Sequence, residues 1–359
     1  MKGLITAGGR GTRMRPVTFS TNKHFIPIAN KPLLYYGLEE MISAGIKEIG
    51  INYNPGQLEE LKDVLGSGKK WGVKFSYILQ EEPKGLANIV EVSRDFIGKD
   101  KFVMHLGDNI FWGGIGSLIA QFKKSEAKAM VTVIHHLENS RMGVPYLDGQ
   151  GNLQKIVEKP ENPPHDLAVP GLYFFDETAL KCFDGKDRIQ PSARGEYEIG
   201  SIYNWLVNHD YQVEIGEFNG TWKDPGKFND WLDTNQFILD EKNDLVVDSE
   251  IDEDTLIEGR VGVGKNCQIS NSKLRGPLII GDKVTIKNSF IGPYSSIAEG
   301  SVIINAKIEN SVLMPGVNVD SPGKPLDSCL LGQETSVVGN HQPTETLELF
   351  LGNQCKVKL

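Results

Sequence analysis

The residues Ala7-Gly8-Gly9-Arg10-Gly11-Thr12-Arg13 follow directly on a short apolar run, residues 2–6. Three glycines let backbone N–H groups approach a polyphosphate closely, and the planar guanidinium of Arg13 can hold two phosphate oxygens at once. Two common phosphate cradles are excluded. A Walker loop ends in Gly-Lys-Ser/Thr, and no lysine follows these glycines. A dinucleotide fingerprint needs a third glycine where Met14 stands, and Pro16 would interrupt the helix that the loop opens. Asp108 stands just past the apolar run 102–106, at the carboxyl end of an expected strand, whereas Asp224, in the turn-like Trp222-Lys223-Asp224-Pro225-Gly226, reads by itself as a turn aspartate. Cys182, Cys267, Cys329 and Cys355 are far apart, with no Cys-x-x-Cys pair and no histidine cluster, so zinc and redox chemistry are not indicated.

Those residues must be held by something, and the pattern around them alternates. Strands are expected over residues 2–6, 48–52, 74–79, 101–106 and 130–135. Apolar residues at helical spacing predict helices over 32–44, 55–65, 86–96 and 115–124. Leu58, Leu61 and Leu65 form one such stripe, and Leu118, Ile119 and Phe122 another. Strand–helix alternation implies an α/β domain, a largely parallel sheet wrapped by helices, with ligands above the carboxyl ends of the strands.

The pattern changes after the charged stretch 240–244. Asn271-Ser272-Lys273-Leu274 recurs as Asn288-Ser289-Phe290-Ile291 and again as Asn305-Ala306-Lys307-Ile308. Aliphatic residues step by about six within each unit: Ile257, Val263, Ile269; Leu274, Ile280, Ile286; Ile291, Ile297, Ile303. Three hexads per turn, each pairing an aliphatic with a small residue, predict a parallel β-helix. The expected division is therefore a catalytic domain over 1–240, a linker over 241–250, the β-helix over 251–340 and a terminal hairpin capping the stack over 341–359.

Composition narrows the function classes. The chain has 359 residues and a formal net charge of −9, which argues against a nucleic-acid scaffold. No apolar run reaches the roughly 20 residues of a membrane span, and a strand-like start leaves no room for a secretory signal. A cytoplasmic enzyme with reduced cysteines is expected.

Read in order, the motifs resemble those of the sugar-phosphate nucleotidyltransferases. The resemblance is nearest to the long-form glucose-1-phosphate thymidylyltransferases, which have a Rossmann-like catalytic domain and a C-terminal left-handed β-helix. It covers essentially the whole chain. It rests on Gly8-Gly9-x-Gly11-Thr12-Arg13, Lys31-Pro32 with Tyr35-Tyr36, and Gln80 followed by Gly85-Leu86-Ala87. Further on come Leu106-Gly107-Asp108-Asn109, Glu158-Lys159-Pro160, Gly171-Leu172-Tyr173-Phe174, Arg194-Gly195-Glu196 and Trp222-Lys223-Asp224.

The resemblance implies attack of a sugar-phosphate oxygen on the α-phosphorus of a nucleoside triphosphate, releasing pyrophosphate. The nucleophile has a second pKa of about 6 and is already largely ionised, so no activating base is required. The difficulty is bringing two anions together, which calls for placed cations and a metal. By resemblance Arg13 and Lys23 hold the triphosphate, with Gly8, Gly9, Gly11 and Thr12 in the loop. Lys159 grips the sugar phosphate, Asp108 and Asp224 bind Mg²⁺, and Gln80 with Gly85 reads the base. Asn109, Gly143, Glu158 and Val169 contact the sugar. The sequence departs from the family pattern at four places, one of them a dipeptide. His24 stands for the usual Gln, and Met142 for a Tyr. Pro145-Tyr146 replaces Val-Glu, and Pro225 stands for a Thr. None removes a required charge; they bear on substrate identity. The favoured pair is dTTP with α-D-glucose 1-phosphate, with UTP as the alternative because the bases differ by one methyl. A β-helix acting as acyltransferase is disfavoured, because residues 251–340 contain no histidine and His341 lies just outside. A non-catalytic scaffold subunit would have lost cations or carboxylates that are present here. The solenoid is expected to serve assembly, giving a homo-oligomer.

Overall fold

A computed structural model describes residues 1–9, 11–339 and 349–358. These form two compact units: one of residues 1–9 and 34–223, the other of residues 11–33 and those from 224 onward.

The first unit is built on a mixed sheet. Its strands are β1 (Lys2–Thr6), β2 (Glu48–Tyr53), β3 (Lys74–Leu79), β4 (Phe102–Leu106), β5 (Ala129–His135), β6 (Leu172–Phe175) and β7 (Val213–Glu217). The order is β7-β5-β6-β4-β1-β2-β3. Among these seven all neighbours are parallel except β6, which runs antiparallel to both β4 and β5; an eighth, two-residue strand, Leu167–Ala168, pairs antiparallel with the end of β5. Leu4 and Ile5 of β1 are both fully buried, as expected of a strand covered on both faces. On the Gly3 face lies α1 (Leu33–Ser43): a Cβ on Gly3 would come within 2.9 Å of Met41 Sδ. On the Leu4 face pack α2 (Leu86–Val92) and α3 (Ile199–Asn208), through Ala87, Val90, Ile202 and Tyr203. The five strands expected from sequence are all present, with ends displaced by at most one residue, whereas β6 and β7 were not expected as strands. The expected helix over 86–96 is broken instead. It ends at Val92, a second turn runs over Arg94–Ile97, and Ser93 Oγ donates to the Ile89 carbonyl at the break.

β1 is the point where the strand order reverses. From it the chain proceeds outward through β2 and β3, then returns to β4 on the other side. In such sheets the crevice at the carboxyl ends of the two strands flanking that reversal is where ligands bind.

The second unit contains the solenoid. Its short strands stack in three parallel sheets, the arrangement of the left-handed β-helix. The repeat fixes the register: Ile257 pairs with Leu274 and Leu274 with Ile291. Val263 likewise pairs with Ile280 and Ile280 with Ile297; Ile269 pairs with Ile286 and Ile286 with Ile303. Every aliphatic hexad position thus points inward and builds the solenoid core. At one corner Asn271, Asn288 and Asn305 adopt φ of 45°, 49° and 50°, a conformation Asn tolerates better than most residues. Their side chains form a ladder, Asn271 Nδ2 donating to Asn288 Oδ1 (2.8 Å) and Asn288 Nδ2 to Asn305 Oδ1 (3.1 Å).

Two expectations change. Phe350–Leu351 pairs with Leu330–Leu331 and Lys356–Lys358 with Ser336–Val338, both parallel and in different sheets. The described part of the tail is therefore one more coil rather than a hairpin, since its aliphatic residues continue the inward columns; residues 340–348 and 359, including His341, lie outside the described residues. The compact units also cut across the linear division at residue 240. The helix α4 (Phe228–Glu241) and residues 11–33 group with the solenoid, and residues of the linker are already bonded to its first coil, Asp248 N–H to the Val263 carbonyl and Ser249 Oγ to the Gly264 carbonyl.

Candidate active site

At the carboxyl ends of β1 and β4 stand Gly8-Gly9 and Gly107-Asp108-Asn109. They are tied together by Gly107 N–H, which donates to Thr6 Oγ1 at 3.0 Å. Gly9 has φ 115°, and its N–H donates to Asn54 Oδ1 (2.8 Å). A Cβ on Gly8 would lie 2.5 Å from the same oxygen, so glycine is needed there. Asn54 then donates through Nδ2 to the Gln80 carbonyl (3.0 Å), while Gln80 Nε2 donates to Asn88 Oδ1 (3.0 Å) and the Gly85 carbonyl (3.3 Å). The glycine loop and Gln80 are thus joined through the side-chain amide of Asn54.

Asn54 and Asn88 were not singled out from sequence. The available signal was that Asn54 follows β2 at a carboxyl end and precedes Pro55-Gly56. Gly85, at φ 106°, opens α2; a Cβ there would meet the Tyr197 carbonyl at 2.6 Å.

The residues expected to contact the sugar also converge. Gly143 pairs with Glu158 across the antiparallel strands Gly143–Leu147 and Leu153–Glu158, and the Val169 N–H donates to the Gly143 carbonyl (2.8 Å). Two residues on, Gly171 lies so close to Asn109 Oδ1 that a Cβ would overlap it. Asn109 is buried. Its Nδ2 donates to Asp108 Oδ1 (3.0 Å), and its Oδ1 accepts from Trp222 Nε1 (2.8 Å). Trp222 lies in a strand, Thr221–Lys223, paired with Ile110–Trp112, so the Trp-Lys part of the expected turn is extended backbone. Pro145 sits within a two-stranded ribbon, where a missing N–H is tolerated at an edge.

Lys159 follows the strand at φ 49°, which is uncommon for a lysine. Its own N–H is held by the Met142 carbonyl (2.9 Å). Strain of this kind persists where surroundings over-determine it, and it concentrates at functional positions. The neighbouring Glu158 carboxyl is raised above the usual carboxylate range. The main cause is partial withdrawal from water, followed by the Glu198 carboxylate, with Lys159 and Arg194 pulling the other way. Arg194 Nη2 bridges Glu198 Oε1 (2.7 Å) and Glu158 Oε1 (3.3 Å).

The remaining candidates belong to the second unit. Gly11, at φ 52°, opens the short turn Thr12–Met14, and a Cβ on it would lie 3.2 Å from Lys23 Cβ. Arg13 lies against Gly226, where a Cβ would be 3.0 Å from its Nη1. Gly11, Arg13, Lys23 and the Asp224–Gly226 segment therefore share one unit, and Gly11 contacts Lys23 as Arg13 contacts Gly226. Lys23 and His24 are buried in the turn Lys23–Phe25, which Asn22 caps; Asn22 Oδ1 accepts from the His24 N–H (3.0 Å) and lies 2.9 Å from His24 Nδ1. His24 is thus committed to the cap that shapes the Lys23 turn.

The model of the nucleotidyl transferase family matches residues 2–241. The chain belongs to that family. Its relatives include the glucose-1-phosphate thymidylyltransferase of Streptomyces griseus, 34% identical over all of this chain and 99% of that one. The low-salt glycan biosynthesis nucleotidyltransferase Agl11 of Haloferax volcanii is 36% identical over the whole of both chains. Among solved structures, a Bacillus anthracis candidate glucose-1-phosphate thymidylyltransferase, crystallised with a sucrose, superposes with a TM-score of 0.62 at 32% identity. It covers 69% of this nucleotidyltransferase and 98% of its own chain. Full-length similarity thus extends through the solenoid, whereas the likeness to that structure spans about two thirds of the chain.

Proposed function

We propose that this nucleotidyltransferase joins dTTP to α-D-glucose 1-phosphate, giving dTDP-glucose and pyrophosphate. The observation that supports this most is the convergence, at the strand-order reversal, of the glycine loop with Asp108-Asn109, and its amide link to Gln80. A sugar-phosphate oxygen attacks the α-phosphorus while the bond to the pyrophosphate oxygen breaks. Arg13 and Lys23 offset charge on the triphosphate and leaving group, and Lys159 holds the nucleophile's phosphate. Gln80 and Gly85 take the base edge; Gly143, Glu158, Val169 and Asn109 take the sugar. Asp108 and Asp224 are the metal ligands of this reading. Their hard oxygen donors fit Mg²⁺, which supplies charge neutralisation on the phosphates when bound.

The catalytic domain is taken as residues 1–240, with residues 241–250 leading into the solenoid. A cytoplasmic homo-oligomer completes the reading. Among the described residues no helix is long and apolar enough to cross a membrane. The test is pyrophosphate release with Mg²⁺ across dTTP, UTP, GTP and ATP against several sugar 1-phosphates. Turnover of dTTP with glucose 1-phosphate is expected; activity only with UTP would overturn the nucleotide assignment.

A further inference from the structure

After Lys23–Phe25 the chain makes a two-residue hairpin, Pro27–Ile28 paired with Lys31–Pro32. Its tip residues, Ala29 and Asn30, have φ of 47° and 60°. A tip of this type needs the left-handed conformation at both positions, which suits Asn and Gly but is costly for Ala. Something must hold it there.

The holding groups come from α4 and the solenoid. The Ala29 N–H donates to Asn235 Oδ1 (2.8 Å), and the same oxygen accepts from Ser296 Oγ (2.8 Å). Asn235 Nδ2 donates to the Tyr294 carbonyl (3.0 Å). Asn30 Nδ2 donates to the Ile297 carbonyl (2.7 Å), and Trp231 Nε1 to the Pro27 carbonyl (2.9 Å). Asn235 is 1% exposed, so both ends of a fully buried amide are spent on this junction. Further along, Asn353 Nδ2 of the last coil donates to Thr21 Oγ1 (2.6 Å). An apolar contact would suffice for stability alone. The Asn235 amide, bonded at both ends, instead selects one arrangement and no other.

We propose that the solenoid is the positioning frame of the triphosphate-binding segment 11–33, and that Asn235 is the positioning residue through which it acts. This rests on the nucleotidyl transfer reading above. Lys23 lies just before the hairpin, and Gly226, which packs on Arg13, lies just before α4. Anchoring the hairpin and the helix to one coil therefore sets both cations from a single rigid base.

The test uses the full chain, comparing wild type with Asn235→Ala, Ser296→Ala, and Asn235→Ala combined with Ala29→Gly. In Asn235→Ala the KM for dTTP rises roughly ten-fold, the order expected for slight misplacement of binding groups. The KM for glucose 1-phosphate stays unchanged, and amide exchange over residues 22–30 accelerates. Ser296→Ala gives the same pattern in smaller measure and serves if Asn235→Ala does not fold. Ala29→Gly restores part of the dTTP KM, because glycine takes the left-handed tip unaided. A lower melting temperature with both KM values unmoved would overturn the proposal. Lack of turnover by the wild type would instead overturn the nucleotidyl transfer reading; exchange over 22–30 then decides the anchoring, acceleration supporting it and no change overturning it.

Discussion

Asp108 and Asn54 illustrate two kinds of functional residue. Asp108 ends a strand beside the glycine loop, and its Oδ1 accepts from Asn109. Asp108→Asn keeps an acceptor there but removes the charge, so turnover is expected to fall by about 100-fold or more with the fold intact. Steady-state pyrophosphate release and far-UV circular dichroism on one preparation check both halves. Asn54 touches no expected substrate group; it fastens Gly9 to Gln80. Asn54→Ala removes both hydrogen bonds, a loss of about 0.5–1.5 kcal/mol because water can reach the freed groups, and raises the nucleotide KM more than it lowers kcat. An unchanged KM would show that the loop holds its shape without the amide. Glu158 adds a pH signature. Its folded pKa is raised, so its contribution to stability is full below the unfolded carboxylate pKa and is lost as pH rises through the folded value. Glu158→Gln is therefore expected to gain in melting temperature relative to wild type between about pH 4 and pH 7, while weakening sugar 1-phosphate binding. A constant difference across that range would refute the raised carboxyl.

Elements were legible where periodicity was strong. Five of the parallel strands are legible within a residue because runs such as Leu4-Ile5 are apolar on both faces, whereas the less apolar β7 carries no such run. The spacing of the Asn271, Asn288 and Asn305 units dictates the solenoid's pairing, since a coil that slips exposes every aliphatic column at once. What failed was local. The helix break at Ser93 and the extended Thr221–Lys223 depend on packing, and the last coil differs from the expected hairpin because its Gly352-Asn353 turn is indistinguishable in sequence from a solenoid corner. Two element-scale outcomes follow. Gly85→Ala would place a Cβ 2.6 Å from the Tyr197 carbonyl at φ 106°, costing about 1–3 kcal/mol or more by thermal melting. Asn288→Ala would cut the solvent-exposed corner ladder on both sides, lowering the solenoid's resistance to urea by about 0.5–1.5 kcal/mol.

For the whole molecule, light scattering is expected to give an oligomeric mass, because a short solenoid leaves apolar ends that a neighbour can cover; a monomeric mass would confine the solenoid to the role argued for Asn235. By itself the sequence determined the family, the reaction class, the α/β sheet and the coil register. Each of these is written in residue types at regular or motif spacing, which survive without knowledge of contacts. Only the tertiary structure decided that Asn54, 45 residues from Gly9, braces the glycine loop, and that residues 11–33 belong with the solenoid rather than the sheet. The first outcome rests on a single side-chain hydrogen bond and the second on packing and several such bonds, in both cases between segments remote in the chain. Such a bond leaves no periodic trace, because one asparagine looks like any other until its partners are in place.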